Sequence, residues 1–216
     1  GKYDEAIKEC DKAIKIDPQL ADVYNTKGNA LSEKSEFESA LENYKAAYKL
    51  DPENAIYISN ISYALNMLEL YDEALKYSDR AIEKNPKLSM AYLNKGYAFE
   101  GLDRSEEALK LYDKAIEYDS NNVNAYIYKG DILNDDSKFE EAIKIYDKAI
   151  NISKGKDSID AIVGKGDALC HIGKYEDSIQ CFDKALEISP DIHEIHVFKG
   201  RSLYYLKKYK ESLESL

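Results

Sequence analysis

The chain repeats itself every 34 residues, and a sequence with such a period folds from copies of one small unit rather than around one central core. The segment KAIKIDPQLADVYNTKG (12–28) returns as AAYKLDPENAIYISNIS (46–62), RAIEKNPKLSMAYLNKG (80–96), KAIEYDSNNVNAYIYKG (114–130) and KALEISPDIHEIHVFKG (184–200). A further copy, KAINISKGKDSIDAIVGKG (148–166), carries two extra residues near Asp157 and Ser158, which places the insertion between helices.

Each period holds two helical stripes. Ala40, Tyr44, Ala47 and Tyr48 stand at i, i+4, i+7 and i+8, and so do Ala74, Ser78, Ala81 and Ile82, Ala108, Tyr112, Ala115 and Ile116, and Ala142, Tyr146, Ala149 and Ile150. The other stripe runs through Tyr24, Gly28 and Leu31, Tyr92, Gly96 and Phe99, and Tyr126, Gly130 and Leu133. A glycine inside a helix costs about 1 kcal/mol against alanine, so Gly28, Gly96, Gly130, Gly166 and Gly200 at one register require a cause. Close approach of the partner helix supplies it, with alanines such as Ala40 and Ala108 opposite and the rings of Tyr44, Tyr112, Tyr146 and Phe182 filling the gap beside them. All four prolines (Pro18, Pro52, Pro86, Pro190) follow the second helix and mark boundaries between repeats. Ser120 and Lys154 take that place in the other copies, where Gly155 ends the second of these helices.

These residues resemble the tetratricopeptide repeat (TPR) pattern, W-x2-L-G-x2-Y followed by A-x3-F, A and P. Tyr92, Gly96, Phe99, Ala108, Tyr112 and Ala115 match one copy, and Tyr126, Gly130, Leu133, Ala142, Tyr146 and Ala149 the next. The departures are Lys27, Lys95, Lys129, Lys165 and Lys199 in place of leucine, Ser62 in place of a glycine, and Ser178 and Ser212 in place of alanines. Such lysines lay their stems on the core and leave the ammonium free. The resemblance implies an all-α fold: one right-handed α-solenoid superhelix of antiparallel helix pairs, first helices lining its concave side. The expected division is a lone second helix at 1–18, complete repeats at 21–54, 55–88, 89–122, 123–158 and 159–192, and a truncated repeat at 193–216.

The net charge of −11 argues against nucleic acid and anionic membrane surfaces, both of which need a basic footprint. With 44% hydrophobic and 33% charged residues, no apolar run of membrane-spanning length and no signal-peptide core, the sequence reads as cytoplasmic. Cys10, Cys170 and Cys181 form no CxxC pair and read as reduced thiols. His193, Glu194 and His196 invite a metal reading, but the histidines are three apart rather than four and lack a third ligand. His196 instead takes the aromatic slot of Tyr24 and Tyr92. Around Asp131, Asn134, Asp135 and Asp136 the central glycine and closing glutamate of a calcium loop are missing. With no phosphate loop and no nucleophile motif, the expectation is no enzyme, no cofactor and no metal.

Function then falls to first-helix residues that the repeat leaves free. The TPR geometry puts Asn25, Asn29, Asn60, Tyr63, Asn94, Tyr97, Asn124, Tyr128 and Asp131 in the groove as the candidate peptide-binding set. Some members grip acidic chaperone tails with a carboxylate clamp; Asn29 and Asn60 match its asparagines, but Asn25, Met90 and Asn94 hold its cationic places, so that ligand is rejected. Side-chain amides pair with the backbone of an extended peptide whatever its sequence, as in the asparagine ladder of a sugar-transferring member, whose register only Asn60 and Asn94 keep. Thr26, Tyr128, Gly164 and Phe198 depart from it. The tyrosines add rigid contact area, and Asp131, Asp160 and Asp167 favour a basic partner segment. The expected role is a protein-protein interaction scaffold that binds a peptide or helix. The rivals are an array that self-associates end to end and a regulatory or targeting segment of a larger protein.

Overall fold

The computed structural model describes residues 1–153 and 159–215, and there the chain is all-α. Thirteen helices are present among the described residues: α1 (Lys2–Ile16), α2 (Ala21–Ser32), α3 (Phe37–Leu50), α4 (Ala55–Met67), α5 (Tyr71–Lys84), α6 (Ser89–Gly101), α7 (Ser105–Tyr118), α8 (Val123–Asp135), α9 (Phe139–Ile152), α10 (Ile159–His171), α11 (Tyr175–Ile188), α12 (His193–Tyr205) and α13 (Tyr209–Ser215). The insertion at Asp157 and Ser158 and the helix end assigned to Gly155 lie outside the described residues; α9 closes on Ser153 as its C-cap.

The chain divides into two compact units, Gly1–Ser120 and Asn121–Leu216. In the first, α2, α4 and α6 pair with α3, α5 and α7, and α1 packs on α2. The second unit pairs α8, α10 and α12 with α9, α11 and α13. First helices also meet directly, α4 with α6, α8 with α10 and α10 with α12. Each unit is thus a short α-solenoid of helix pairs.

Every first helix ends in the same way. The residue that closes the turn beyond it lies in the left-handed region: Ser35 (φ 60°), Glu69 (59°), Asp103 (58°), Ser137 (59°), Gly173 (78°) and Lys207 (61°). The following N–H reaches back to the final turn: Glu36 to Leu31 O (3.0 Å), Leu70 to Leu65 (2.9 Å), Arg104 to Phe99 (2.9 Å), Lys138 to Leu133 (2.8 Å), Lys174 to Leu169 (2.9 Å) and Lys208 to Leu203 (3.0 Å). This is a Schellman closure. Only Gly173 adopts it without the roughly 1 kcal/mol or more that a Cβ costs there. Of the second helices, α1, α3, α5 and α7 close on aspartate or asparagine and α9 and α11 on serine. The Oδ1 atoms of Asp17, Asp51 and Asn85 accept from the N–H of Gln19 (2.9 Å), Glu53 (3.2 Å) and Lys87 (3.1 Å), with Pro18, Pro52 and Pro86 inside the turn.

The core explains the glycines more tightly than small residues facing each other would. A Cβ on Gly28, Gly96 or Gly130 would lie 2.5–2.6 Å from the nearest ring atom of Tyr44, Tyr112 or Tyr146, and one on Gly166 2.8 Å from Phe182. The ring does not fill a gap beside the glycine; it covers the glycine. Those four rings are at most 2% exposed, and Ala40, Ala74, Ala108 and Ala142 are fully buried around them. Where the glycine is absent the ring is absent too: Ser62 faces Ser78, with hydroxyls 2.6 Å apart and Ser62 Oγ donating to Ala74 O at 2.9 Å.

The first-helix lysines differ from expectation. Their ammonium groups are not left free but pair with an aspartate of the preceding second helix: Lys27 with Asp11 (2.6 Å), Lys95 with Asp79 (2.5 Å), Lys165 with Asp147 (2.6 Å) and Lys199 with Asp183 (2.6 Å). The lysine side chains are only 22–27% exposed, so the stems do lie on the core. At the junction of α3 with α4 both partners change together: Ile61 stands at the lysine register and Lys45 at the aspartate register.

Candidate functional site

In the first unit, α2, α4 and α6 carry six of the candidate residues. Asn25 is half-buried and its Oδ1 accepts from Asn60 Nδ2 at 2.8 Å. Asn94 Nδ2 donates to the carbonyl (2.9 Å) and hydroxyl (3.1 Å) of Ser59, while Asn66 Nδ2 donates to Asn94 O at 2.7 Å. Asn60 and Asn94 are 8% and 5% exposed. Their amides therefore tie one first helix to the next, which is what a buried amide without water must do. Asn29 is exposed, and its Oδ1 accepts from the Tyr44 hydroxyl at 2.9 Å. Tyr63 and Tyr97 are half-buried. Tyr63 sets its ring edge-on to Phe37, with centroids 6.4 Å apart. Burial, then Tyr71 and Glu100 nearby, raises the Tyr97 phenol above its ordinary pKa.

The second unit carries the other three on α8: Asn124 exposed, Tyr128 and Asp131 half-buried. Asp131 lines a cleft of about 490 Å³ bounded by first helices α8, α10 and α12. Its walls hold five carboxylates, Asp131, Asp135, Asp160, Asp167 and Glu194, over Ile159, Val163, Gly164, Ile192, Ile195 and Phe198. Asp131 accepts from the Tyr146 hydroxyl at 2.6 Å. Burial first, then the charge of Asp131, raises the Tyr146 phenol far above its usual range. Asp167 is held by Asn134 Nδ2 (2.9 Å) and by the Arg201 guanidinium.

Gly164 opens the cleft to this arrangement. It stands at the register of Asn60 and Asn94, and a Cβ there would lie 2.5 Å from the Tyr146 ring and 2.7 Å from its hydroxyl. Asp131, Asp160 and Asp167, read from sequence as favouring a basic partner, share this one cleft. Asn134, Asp135 and Tyr146 join the cleft from outside the candidate groove set; Tyr146 belongs to the core stripe and also lines the cleft, with its hydroxyl on Asp131. His196 Nε2 lies 3.4 Å from Pro190 O, the counterpart of the 2.9 Å bond from the Tyr92 hydroxyl to Pro86 O, so the histidine occupies an aromatic slot. Among the described residues no three His, Cys, Asp or Glu side chains gather as a metal site requires, and no helix is long and apolar enough to cross a membrane.

The sequence matches a TPR repeat profile at residues 1–34 and tetratricopeptide repeat profiles at 25–89, 93–157 and 159–192. No curated protein matches it. Solved structures of similar fold include YrrB, a TPR protein with an unusual peptide-binding site, at 24% identity over 92% of this chain and 97% of that one (TM-score 0.56). The APC/C hetero-tetramer Cut9-Hcn1 aligns at TM-score 0.85 with 14% identity, over all of this chain and 44% of that one. A thermophilic TPR protein of Thermus thermophilus, TTC0263, aligns at TM-score 0.71 with 16% identity, over 90% of this chain and 99% of that one. Identities this low show the fold alone. With the repeat profiles spanning most of the sequence and paired helices found in both units, the chain belongs to the tetratricopeptide repeat family.

Proposed function

We propose that the chain is a non-enzymatic protein-interaction scaffold whose first-helix faces take a peptide or helix of a partner protein. The observation that carries this reading is the cleft of about 490 Å³ between α8, α10 and α12, with an apolar floor and an acidic rim. Concave sites of this size with a few polar groups over apolar walls suit a partner's side chains. In the first unit, Asn25, Asn29, Tyr63 and Tyr97 are the accessible members of the candidate set, and in the second Asn124, Tyr128 and Asp131. Asn60 and Asn94 serve this face indirectly, by fixing the spacing of α2, α4 and α6.

The test uses alanine at Asn29, Tyr63, Tyr97 and Tyr128 together, with Asn60 and Asn94 left intact so that the helices stay tied. Proteins recovered from native lysate by the wild type and lost by the variant support the reading, provided circular dichroism shows the helices retained. Identical recoveries would overturn it.

Self-association is the second reading, favoured by one observation in the second unit: Tyr204, Tyr205, Tyr209 and Leu213 are 59%, 52%, 53% and 75% exposed, respectively. A light-scattering mass that grows with concentration, and that returns to the monomer on Tyr209→Ser with Leu213→Ser, would favour it over partner binding.

A further inference from the structure

We propose that the turn edge joining α12 to α13 is a docking surface for an acidic segment of a partner protein, one that sets carboxylates around an apolar side chain. The edge lies outside the candidate groove set, so it goes beyond the interaction reading above and stands or falls separately from it.

The chain inverts its charge here. Residues 199–210, KGRSLYYLKKYK, hold five cations and no carboxylate in a chain of net charge −11. Lys199 and Arg201 answer Asp183 and Asp167. Lys207, Lys208 and Lys210 are left on the edge. Lys207 makes no ion pair among the described residues, and those of Lys208 with Glu211 (3.5 Å) and Lys210 with Glu214 (3.9 Å) are long, exposed pairs that contribute little.

The three positions are exposed in all six helix pairs, even where a further pair packs on, so contact between repeats does not account for their lysines. At the Lys210 register the other five pairs carry Glu38, Asp72, Glu106, Glu140 and Glu176, carboxylates that suit the first turn of a helix. Lys210 puts a cation where that turn disfavours one. At the Lys207 and Lys208 registers no other pair sets two cations side by side. Neither packing nor helix stability calls for this charge, whereas an external anion does.

Three exposed rings frame the lysines. Tyr204 meets Tyr205 (6.0 Å) and Tyr209 (5.5 Å) edge-on, and Tyr205 stacks on Tyr175 at 5.2 Å. The turn is closed by the N–H of Lys207 on Tyr204 O (2.9 Å) and that of Lys208 on Leu203 O (3.0 Å). Rings and turn are thus held by their neighbours before a partner arrives, which lowers the ordering cost of binding. The ammonium groups are donors only and the rings offer flat apolar area, so carboxylates flanking an apolar residue are the complement. Three cations on one turn are a small footprint beside the roughly 6–10 phosphate contacts of a nucleic-acid site. Screening over about 8 Å at physiological salt lets the patch act apart from the net charge of the chain.

The probe is a labelled peptide, acetyl-Gly-Glu-Leu-Glu-Glu-Gly-amide, titrated into the whole chain by fluorescence anisotropy at about 50 mM salt, where screening is modest. Its control carries glutamine at each glutamate. The expected result is at least about tenfold tighter binding of the glutamate peptide, as charge-assisted hydrogen bonds outweigh neutral ones. Lys207→Gln with Lys208→Gln should weaken that peptide about tenfold. Lys210→Glu, which restores the acidic character of the other pairs, should also weaken it while circular dichroism shows the helices retained, so that lost binding is not lost folding. Equal affinities for the two peptides, or an unaltered Kd in either variant, would overturn the surface. Stronger competition by a dT oligonucleotide of equal charge would overturn it in favour of nucleic acid. A light-scattering mass that grows with concentration and returns to the monomer on Lys207→Gln with Lys208→Gln would overturn it in favour of a second copy. If the glutamate peptide fails while partner recovery still depends on Asn29, Tyr63 and Tyr97, this surface is wrong and the interaction reading stands.

Discussion

The hydroxyls of Ser62 and Ser78 meet at 2.6 Å in the register where four other repeats lay an aromatic ring on a glycine. The two sites change together because neither tolerates the other's alternative. Tyr at 78 would meet the Cβ and hydroxyl of Ser62. Ser78→Tyr alone should therefore destabilise the chain by about 1–3 kcal/mol through overpacking. Adding Ser62→Gly should recover most of that, giving a coupling well outside additivity. Urea unfolding of the four members of the cycle measures it, and additive effects would refute the argument.

The left-handed turn residues offer a gain in stability. Glu69→Gly or Asp103→Gly removes a Cβ from a conformation it disfavours, and no side-chain packing depends on either exposed residue. Each should stabilise by up to about 1 kcal/mol, less the entropy glycine adds to the unfolded chain. Gly173→Ala should move thermal unfolding the other way by a similar amount.

Asn94 joins α6 to α4 from a nearly buried position. Asn94→Ala leaves the Ser59 carbonyl without this donor and should cost about 1–3 kcal/mol. Asn29→Ala removes the acceptor of the Tyr44 hydroxyl, but at an exposed position where water can take its place, and should cost about 1 kcal/mol or less. Comparing the two by denaturant midpoint distinguishes an amide that holds helices together from one that faces solvent.

Alkaline stability should be governed by buried phenols. Burial, chiefly, raises Tyr44 and Tyr57 to about 12, and it raises Tyr146 further, aided by Asp131. Above the unfolded value of roughly 10 the unfolded chain loses these protons while the folded chain keeps them, so stability is fully present below that pH and falls above it. Tyr146→Phe should flatten the decline between about pH 10 and 12 in a urea series, relative to the wild type; an unchanged slope would show that Tyr146 is not responsible.

Much of the fold was legible because its signals recur. The prolines, the alanine stripe and the glycine register each appear several times at one spacing, and paired helices follow from them. The turn after each first helix was not legible: Ser35, Glu69, Asp103, Ser137 and Lys207 share no side-chain chemistry, and only Gly173 advertises a positive φ. Asn60 and Asn94 were visible as amides at one register, but whether an amide faces a ligand or a neighbouring helix depends on the distance between helices. The acidic cleft was partly legible through Asp131, Asp160 and Asp167. The reach of the Tyr146 hydroxyl past Gly164 was not, because it depends on a missing side chain one helix away.

The two couplings in the core differ in what they span. The ring and its glycine lie within one helix pair, as in Gly28 with Tyr44, whereas each lysine and its aspartate lie on either side of a junction, as in Lys27 with Asp11. A helix pair moved to another place in the array carries the first coupling with it intact. It meets the second only if its new neighbour presents the matching charge. The pair of α2 and α3 sets Lys45 at its outgoing edge, and the pair that follows answers with Ile61 rather than a charge. Placing α2 and α3 ahead of any pair whose first helix carries the usual lysine would bring two ammonium groups face to face. The border after α3 thus restricts which pair can follow it, while each interior remains a portable part.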